Sequence, residues 1–585
     1  MFAPVPTPAE MADWDRAAAA LGLPEEVLME NAARAAFAAL RRHYGPLRGA
    51  RVLLVMGGGN NGGDAACLAR HLLDAGALPR VLHTRPLSAA RGAARRYALL
   101  ARRLGVPFAP ARPERPAAWA WSPALSVSRA VSDIVPDIVV DGLLGTGFSG
   151  PLRPAEAAVA ARINALAGAG SFILALDVPS GFDAGSGRAA PDAVRATLTV
   201  TFQAPKPGLL VPEAAAHTGR LEVCPIGIPA AARAAASYRL WRGPASAQSA
   251  DATDVFTVSR GPDLPRPRRA RRLDRAEAVA SSGPAHKGEA GRVLVIGGSE
   301  GMSGAPRLAA LGALRGGAGL VEAAVPVASM PEVRAELPEA LTVALPRVGE
   351  NHAAEWAARH VDLLAPALAS ARAAVVGPGM GRDNGAGDVL TALLGLPARP
   401  PLVLDADALY ALAGRPDLLA GLGGRDVLTP HPGEAARLLG LSAADVQADR
   451  FGALAALAAL APAVWVLKGA GTLIACPGEA SIIVPYNVPQ LAVGGSGDVL
   501  AGLIGALLAA GRTAPDAACV GVHLHALAGL ALAGPYPRRG NGPRDIAAAL
   551  PGAWPLLETL SRGAERGPRP SCHSHTPRRG GGEPC

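Results

Sequence analysis

Polar residues follow an apolar, strand-like run near the start of the chain. The run RVLLV ends at Val55 and leads into MGGGNNGGDA (56–65), in which Asn60, Asn61 and Asp64 lie among glycines. Glycines let a backbone approach a ligand closely, and the free N–H groups at a helix start bind anions. The spacing is not G-x-G-x-x-G, however, and the added amide and carboxylate oxygens would not suit a pyrophosphate. These residues therefore indicate a site that needs oxygen ligands.

Two later strand ends supply more oxygen atoms. VVDGLLGTGFSGPLR places Asp141 before a second glycine turn, and LALDVPSGFDAGSG places Asp177 and Ser180 at a third. If the three strands are neighbours in a parallel sheet, Asn61, Asp141 and Ser180 meet and can bind a weakly hydrated cation. The alternative is that these side chains cap helices and turns. Their occurrence at successive strand ends favours the cation site.

The second half of the chain contains an independent set of candidate residues. His431 lies in VLTPHPGEAARLLG, Lys468 lies in VLKGAGTLIA, and Asp498 follows four small residues in GGSGDVLAG. A helix start with free N–H groups binds phosphate, and a carboxylate beside it can transfer a proton. Asp498 as a simple helix cap is the alternative, but a cap does not need four small residues before it. His523 and His525, in GVHLHALAG, fall on opposite helix faces and are predicted to be structural.

The elements that position these residues follow one pattern in both halves. Strand-like runs alternate with alanine-rich helical stretches, which predicts α/β domains with parallel sheets. A chain of 585 residues is too long for one core, and the periodic pattern fails between about residues 241 and 282. We therefore predict a first domain over 1–240, a linker over 241–282, a second domain over 283–561 and a disordered tail over 562–585.

The charge distribution argues against a nucleic-acid-binding protein. The net charge is +9, but RPRRARRLDR (266–275) carries net +5 and the tail from Arg562 carries net +3. The two domains are thus close to neutral, and we predict no nucleic-acid partner. The longest apolar helical run is too short to span a membrane, and the six cysteines lack C-x-x-C spacing. We expect a cytoplasmic enzyme without a membrane partner.

The first half resembles the NAD(P)HX epimerase family (YjeF N-terminal family) over about residues 8–235. The matching stretches are DWDRAAAALGLPEEVLMENAARA, GGGNNGGDA, VDGLLGTGFSGPL, LDVPSGFDAGSG and TFQAPKPGL. That family interconverts the R and S forms of hydrated NADH and NADPH (NADHX and NADPHX), with a potassium ion at the site. The resemblance implies a Rossmann-like three-layer domain. The family usually has glycine where this chain has Ala65, and we expect activity to survive that change.

The resemblance also implies roles for individual residues. Asn61, Asp141 and Ser180 would be the K⁺ ligands. Asp177 is the candidate proton-transfer residue, because epimerising a hemiaminal carbon requires reversible proton movement near its hydroxyl. The hydrate would contact Asp177 and two glycine turns, which consist of Asn60, Asn61, Gly62, Gly63, Asp64, Gly145, Thr146, Gly147, Phe148, Ser149, Gly150 and Pro151.

The second half resembles the ribokinase-like fold and, within it, the ADP-dependent NAD(P)HX dehydratase (YjeF C-terminal family), over about residues 283–555. The matching stretches are HKGEAGRVLVIGG, GGAGLVEAAVP, VVGPGMGR, LDADAL, TPHPGE and GGSGDVLAG. Asp498 would be catalytic and would contact the hydrate together with Gly319, Gly379 and His431. The ADP phosphates would be held by Lys468, Gly469, Ala470, Gly471, Thr472, Gly494, Gly495, Ser496 and Gly497. Mg²⁺ is also expected, although the sequence names no ligands for it.

Together the two resemblances predict a fused repair enzyme. The first domain would equilibrate the R and S epimers of NADHX and NADPHX, and the second would dehydrate the S epimer to NAD(P)H using ADP. We also expect a homo-oligomer. The rival enzyme is a ribokinase-like small-molecule kinase fused to a nucleotide-binding domain. The rival from another class is a binding module without catalysis.

Overall fold

The structure is a computed structural model that describes residues 2–115, 119, 135–241, 256–257, 290–347, 355–382 and 385–563. Nearly all of the predicted linker (241–282) and tail (562–585) lies outside these residues. The described chain contains nineteen strands in two sheets. They are β1 (Phe2–Val5), β2 (Arg51–Met56), β3 (Leu78–His83), β4 (Phe108–Pro110), β5 (Ile138–Gly142), β6 (Phe172–Leu176), β7 (Leu198–Phe202), β8 (Arg220–Cys224), β9 (Tyr238–Trp241), β10 (Phe256–Thr257), β11 (Arg292–Ile296), β12 (Leu320–Pro326), β13 (Leu341–Leu345), β14 (Ala373–Val376), β15 (Leu402–Leu404), β16 (Val427–Leu428), β17 (Val464–Leu467), β18 (Thr472–Ala475) and β19 (Ser481–Val484).

The first sheet has the order β10-β8-β7-β6-β5-β2-β3-β4. Its strands are parallel except β10, which pairs antiparallel with β8. The helices of this half are α1 (Pro8–Ala20), α2 (Glu25–His43), α3 (Asn60–Asp74), α4 (Gly92–Arg103), α5 (Pro154–Gly168) and α6 (Ala215–Thr218). Alternate residues of β2 face opposite sides: Leu54 packs with α1 to α4, whereas Leu53 packs with α5. The result is the predicted three-layer α/β arrangement.

The second sheet has the order β1-β9-β19-β18-β17-β16-β15-β14-β11-β12-β13. Strands β11 to β17 are mutually parallel, and β18 is antiparallel to both of its neighbours. The helices of this half are α7 (Gly304–Arg315), α8 (Met330–Glu336), α9 (Arg359–Leu363), α10 (Ala365–Ser370), α11 (Ala386–Leu394), α12 (Asp407–Leu412), α13 (Pro416–Leu419), α14 (Pro432–Leu439), α15 (Ala443–Ala448), α16 (Arg450–Leu460), α17 (Ser496–Ala509), α18 (Ala514–Ala531) and α19 (Pro543–Gly563). Apolar clusters cover both faces of the sheet. The prediction of two α/β units with parallel sheets is confirmed.

Two strands from the first half of the chain belong to the second sheet. Strand β9 pairs parallel with β19, and β1 pairs antiparallel with β9. One buried apolar cluster also contains side chains from both halves, such as Phe182 and Leu210 with Leu404 and Leu467. The two α/β units therefore share hydrogen bonds and a continuous core. None of the described helices has the length and apolar character needed to cross a membrane.

Candidate active sites

The first candidate site lies at the carboxyl edge of the first sheet. Strands β2, β5 and β6 are neighbours in that sheet, as the sequence analysis required. Strand β2 leads through the first glycine turn into α3, β5 carries Asp141, and β6 is followed directly by Asp177. Chain topology thus brings the three glycine turns to one edge of the sheet.

The predicted cation ligands converge at this edge. The Ser180 hydroxyl donates to Asp141 Oδ1 over 2.6 Å, and the Ser180 N–H donates to Asp141 Oδ2 over 2.8 Å. Asn61 Nδ2 donates to the Leu144 carbonyl over 2.5 Å, and the Leu144 N–H donates to Ser180 Oγ over 2.8 Å. Asn61 Oδ1 is buried and has no hydrogen-bond partner among the described residues. Burial raises the pKa of Asp141 to about 6, although its hydrogen bonds from Ser180 act in the opposite direction.

Asp177 occupies an uncommon backbone conformation and carries a buried ion pair. Its φ is +59°, in the left-handed region that residues other than glycine rarely adopt. Its Oδ1 accepts from Thr201 Oγ1 (3.0 Å), from the Phe202 N–H (3.1 Å) and from Lys206 Nζ (2.5 Å). Lys206 is only 1% exposed. Lys206 lies in the stretch TFQAPKPGL but was not predicted as a site residue, since only the fold brings its ammonium to Asp177.

Further carboxyl groups surround the Asp177–Lys206 pair. Asp64, on α3, is buried, and its pKa is raised well above the usual range, first by burial and then by Asp177 and Glu25. Burial also raises the pKa of Asp15, on α1, to about 6, where Lys206 lowers it and Asp177 raises it. Asp15 and Glu25 were not predicted as site residues. Excess carboxyl charge in a buried site favours proton uptake, which suits acid–base chemistry.

The remaining predicted residues of the first site lie in its two turns. Asn60 is exposed at the start of α3, whereas Gly62 and Gly63 are buried. Residues 145–151 form the mostly exposed loop between β5 and α5. Ala65 is fully buried, and its methyl faces Gly142. A glycine at position 142 leaves the space that this methyl fills.

The second candidate site is a cavity of about 500 Å³ at the carboxyl edge of the second sheet. Lys468 Nζ lies 2.6 Å from Asp405 Oδ1 and 3.9 Å from Glu434 Oε2. Asp405 and Glu434 were not predicted as site residues. The cavity is lined by predicted residues as well: His431, Lys468, Gly469, Ala470, Thr472, Gly495, Ser496, Gly497 and Asp498.

The charged side chains inside this cavity shift one another's pKa values. Burial lowers the pKa of Lys468, but Asp405 and Glu434 outweigh it, so the net shift is upward. Burial raises the pKa of Asp498 to about 8, with a further upward contribution from Asp405 and a downward one from Lys468. Burial likewise raises the pKa of Glu434 to about 7. The cavity thus holds a lysine that stays charged and two carboxyl groups, Asp498 and Glu434, that take up protons near neutral pH.

Glycine turns and a helix start line one side of the cavity. Helix α17 begins at Ser496, directly after Gly495, whose φ is +85°. A Cβ atom on Gly497 would lie 3.1 Å from Lys468 Nζ, a tight contact, so glycine leaves room where the ammonium approaches the helix start. Free N–H groups beside a fixed ammonium are suited to a phosphate. His431 caps α14, and its Nδ1 accepts from the Gly433 N–H over 3.0 Å.

Four predicted residues do not line this cavity. Gly471 and Gly494 belong to the turns but not to the cavity wall. Gly379 follows β14 and packs against Met302, since a Cβ atom there would lie 2.7 Å from the Met302 carbonyl oxygen. Gly319 precedes β12, at the amino edge of the parallel sheet and thus opposite the cavity. Strand direction decides this placement, which the motif GGAGLV alone does not reveal.

The first half of the chain touches the glycine turn that follows β17 in the second. A Cβ atom on Gly471 would lie 2.7 Å from Pro212 Cδ. Arg450, at the start of α16, donates from one guanidinium nitrogen to the carbonyls of Leu467, Lys468 and Gly471 over 3.2 to 3.3 Å. The turn is therefore held from one side by Arg450 and covered on another by Pro212.

A cluster of Glu30, Cys67 and His71 lies outside both sites, between α2 and α3. Arg70 donates to both carboxylate oxygens of Glu30, over 2.6 and 2.7 Å. Burial raises the pKa of the Cys67 thiol, which disfavours the thiolate that a metal would bind. The guanidinium already neutralises Glu30, so we interpret the cluster as an ion pair that ties the two helices together.

Both halves of the chain match known families. Residues 25–208 match the family described as YjeF-related protein N-terminus, and residues 293–551 match the family described as NAD(P)H-hydrate dehydratase. The bifunctional NAD(P)H-hydrate repair enzyme Nnr of Moorella thermoacetica is 39% identical over 531 residues, which cover 89% of this chain and 91% of that relative. The enzyme of the same name from Escherichia coli is 32% identical and covers 91% of this chain and 90% of its own.

A solved structure is similar to the second half. It is the ADP/ATP-dependent NAD(P)H-hydrate dehydratase of Bacillus subtilis, co-crystallised with ATP and Mg²⁺. That chain is 29% identical, covers 47% of this chain and 92% of its own length, and gives a TM-score of 0.39.

Proposed function

Because this chain belongs to the family of bifunctional NAD(P)H-hydrate repair enzymes, we propose that it repairs hydrated nicotinamide cofactors in two steps. The first α/β unit interconverts the R and S epimers of NADHX and NADPHX. The second dehydrates the S epimer to NADH or NADPH with ADP as co-substrate. The observation that carries this proposal is the presence of two separate carboxyl-rich sites, each at the carboxyl edge of its own sheet.

In the first site, Asp177 is the proposed proton-transfer group. Epimerisation at the hydroxyl-bearing carbon requires a group that can donate a proton near the substrate hydroxyl and later accept it again. The hydrogen bond from Lys206 Nζ to Asp177 Oδ1 holds this carboxylate in one orientation. Asp177 lies directly after β6, near Asp64 in the first turn of α3 and near the proposed hydrate-binding loops. The turn 145–151 would line the substrate site.

The same site fits a potassium ion. Asn61, Asp141 and Ser180 offer amide, carboxylate and hydroxyl oxygens with one formal charge, which suits a monovalent cation better than Mg²⁺. Asn61 Oδ1 is buried and has no partner among the described residues, which supports a cation bound at this position. When bound, K⁺ would supply the positive charge that balances the buried Asp141 carboxylate and would hold the neighbouring turns in place.

In the second site, the proposed step is phosphoryl transfer from ADP to the substrate hydroxyl, followed by elimination of phosphate together with a proton from the adjacent ring carbon. Phosphate leaves far more readily than hydroxide, and the products are AMP, inorganic phosphate and NAD(P)H. Lys468 and the N–H groups at the start of α17 would bind the transferred group. Asp498 would accept the hydroxyl proton. Asp405 and Glu434 supply carboxylate oxygens of the kind that Mg²⁺ prefers, and they would hold it beside the phosphates.

Several finer points are part of the same proposal. ADP as the natural phosphoryl donor rests on the sequence resemblance, and a cytoplasmic location and a homo-oligomeric assembly remain predictions from the sequence. A small-molecule kinase would use the same anion-binding loop. The reaction product separates the two functions, because a kinase leaves a stable phosphorylated acceptor, whereas the repair reaction leaves reduced nicotinamide, AMP and inorganic phosphate.

The test uses the full chain with an R and S mixture of NADHX, ADP and Mg²⁺. Formation of NADH is followed by absorbance, and both epimers are quantified by chromatography. Asp498→Asn should lower dehydration by on the order of 100-fold and leave epimerisation intact. Asp177→Asn should produce NADH from the S share and then stall with R left over. No NADH above a control without enzyme would refute the proposed function.

A further inference from the structure

A histidine and a serine meet at the base of the proposed nucleotide site. Ser496 is the first residue of α17 and is 6% exposed, and His525 lies in α18 with the same exposure. His525 Nε2 lies 3.2 Å from Ser496 Oγ. Both side chains line the cavity that also contains Lys468 and Asp498. The sequence analysis predicted a structural role for His525, but the fold places its ring at the cavity.

The His525 ring is neutral at physiological pH. Burial lowers its pKa to about 4, and the Lys468 ammonium acts in the same direction against a raising contribution from the Ser496 backbone. A neutral imidazole has one N–H donor and one acceptor nitrogen. It can therefore fix the direction of a neighbouring hydroxyl, which rotates freely in the absence of a partner.

We propose that His525 is a positioning residue, which donates its Nε2–H to Ser496 Oγ and so directs the Ser496 O–H toward a nucleotide phosphate. This inference rests on the proposed function of the second site. A phosphate oxygen accepts hydrogen bonds. A serine that accepts from histidine keeps its own hydrogen for that phosphate. The reverse arrangement would turn a serine lone pair toward the anion, which is repulsive.

The neighbouring charges agree with this direction. The Lys468 ammonium lies next to Gly497, one residue beyond Ser496, and a protonated, cationic His525 beside it would be repelled. A neutral histidine delivers a donor to the anion site through serine without adding a second buried cation. Hydrogen bonds to charged groups contribute more free energy than bonds between neutral groups. Removing one partner of such a bond therefore costs the most.

His523 provides a matched control on the same helix. It is 1% exposed and packs against the Tyr486 ring, with ring centroids 5.5 Å apart and planes at 85°. His523 is not among the residues that line the cavity. A change at His523 therefore disturbs α18 and the Tyr486 ring, which lines the cavity, but leaves the contact between His525 and Ser496 in place.

The experiment measures ADP affinity and dehydration kinetics of the full chain for His525→Leu, His525→Gln, Ser496→Ala, His523→Gln and the His525→Leu/Ser496→Ala pair. His525→Leu should raise the Kd and KM for ADP by on the order of tenfold, with a smaller effect on kcat. His525→Gln, whose amide N–H can donate to the same oxygen, should recover most of the affinity. In the Ser496→Ala background, His525→Leu should add nothing further. The epimerase rate of each variant reports whether the chain is folded.

The outcomes separate this inference from the function on which it rests. A wild-type chain that does not bind ADP refutes the proposed function. Normal ADP binding by His525→Leu, additive losses in the double variant, or an equal loss in His523→Gln would each overturn the positioning role. Nitrogen NMR of the labelled histidines gives a test without any substitution that could unfold the chain, with His525→Gln identifying the signal. A proton on Nδ1 instead of Nε2 would overturn the proposal.

Discussion

Asn61 has one amide nitrogen that is satisfied and one amide oxygen that is not. Its Nδ2 donates to Leu144, whereas its buried Oδ1 has no partner among the described residues. A buried carbonyl without a hydrogen bond costs about 1 to 3 kcal/mol. A cation at the convergence of Asn61, Asp141 and Ser180 would remove that cost. This residue therefore gives the strongest physical reason for a bound ion in the first site.

We expect the epimerase to depend on a monovalent cation of potassium size. Initial epimerisation rates should be higher in K⁺ than in Na⁺ or in a cation-free buffer, because K⁺ sheds its water more readily. Asp141→Ala should bring the rates in K⁺ and Na⁺ close together. Its unfolding temperature should change little. Asn60→Ala is the matched control: any loss of rate there should be the same in both cations. Equal wild-type rates in K⁺, Na⁺ and cation-free buffer would remove the role of the ion.

A second prediction at the residue scale concerns the pH dependence of dehydration. The raised pKa of Asp498, about 8 in the unliganded site, leaves this carboxyl group largely protonated at neutral pH. A base must be deprotonated to act. The kcat/KM for the S epimer should therefore rise about tenfold per pH unit below about pH 8 and level off above it.

Epimerisation by the same chain is the control for this pH profile, since the first site lies on another sheet and should show no such rise. A kcat/KM for dehydration that is flat between about pH 6 and 9 would contradict the role of Asp498 as a base. A fall over that range would instead indicate that Asp498 acts as an acid.

At the scale of elements, the first site depends on close packing of α3 against β5. A Cβ atom at Gly142 would lie 2.7 Å from the Ala65 methyl carbon and 2.9 Å from the Asn61 carbonyl oxygen. A Cβ atom at Gly62 would meet the Gly57 backbone at 2.3 Å. Real Cβ atoms do not approach neighbours so closely. The glycines of these motifs thus allow the helix to start directly above the strand ends.

Gly142→Ala should destabilise the chain by about 1 to 3 kcal/mol, the usual cost of overpacking a core, and should disrupt epimerisation. Ala65→Gly in the same chain should recover part of the loss, because it removes the nearest atom but not the Asn61 carbonyl. Thermal unfolding and epimerase rates measure both effects. Gly168→Ala, where a Cβ atom meets nothing within 4 Å, is the control. Equal stability of Gly142→Ala and wild type would show that α3 can move away.

At the scale of the whole molecule, the two α/β units are joined more firmly than a linker alone would join them. Strand β9 lies between β1 and β19 in the second sheet. Arg188 donates to the carbonyl of Ala448 in the other half, over 3.0 Å from Nε. Tyr238 and Phe451 pack edge to face with ring centroids 5.1 Å apart. Both backbone hydrogen bonds and apolar contacts therefore hold the halves together.

We predict that cleavage between residues 242 and 282 does not separate the two halves. Trypsin should cut in the arginine-rich run 266–275, yet the fragments should co-elute in size-exclusion chromatography until denaturant is added. Both half-reactions should survive in the cleaved complex. Leu240→Asp, which places a charge in the shared core, should weaken the association. Fragments of the wild-type chain that elute separately under native conditions would contradict the prediction.

The sequence by itself determined the two α/β units, the family and the chemical character of both sites. Strand periodicity, glycine turns and the residues next to them are local features, which can be recognised from the sequence alone. The position of Asp177 after one strand and of Asp498 after GGSG followed from such patterns. The convergence of Asn61, Asp141 and Ser180 was also predictable, since parallel strands end at one edge of a sheet.

Only the tertiary structure decided which distant side chains meet. Lys206 pairs with Asp177, Asp405 pairs with Lys468, and His525 contacts Ser496. Strand direction placed Gly319 away from the cavity, and strand pairing carried β1 and β9 into the second sheet. The physical reason is that periodicity specifies which face of an element is buried. The neighbour that covers that face depends on strand order and helix packing over the whole chain.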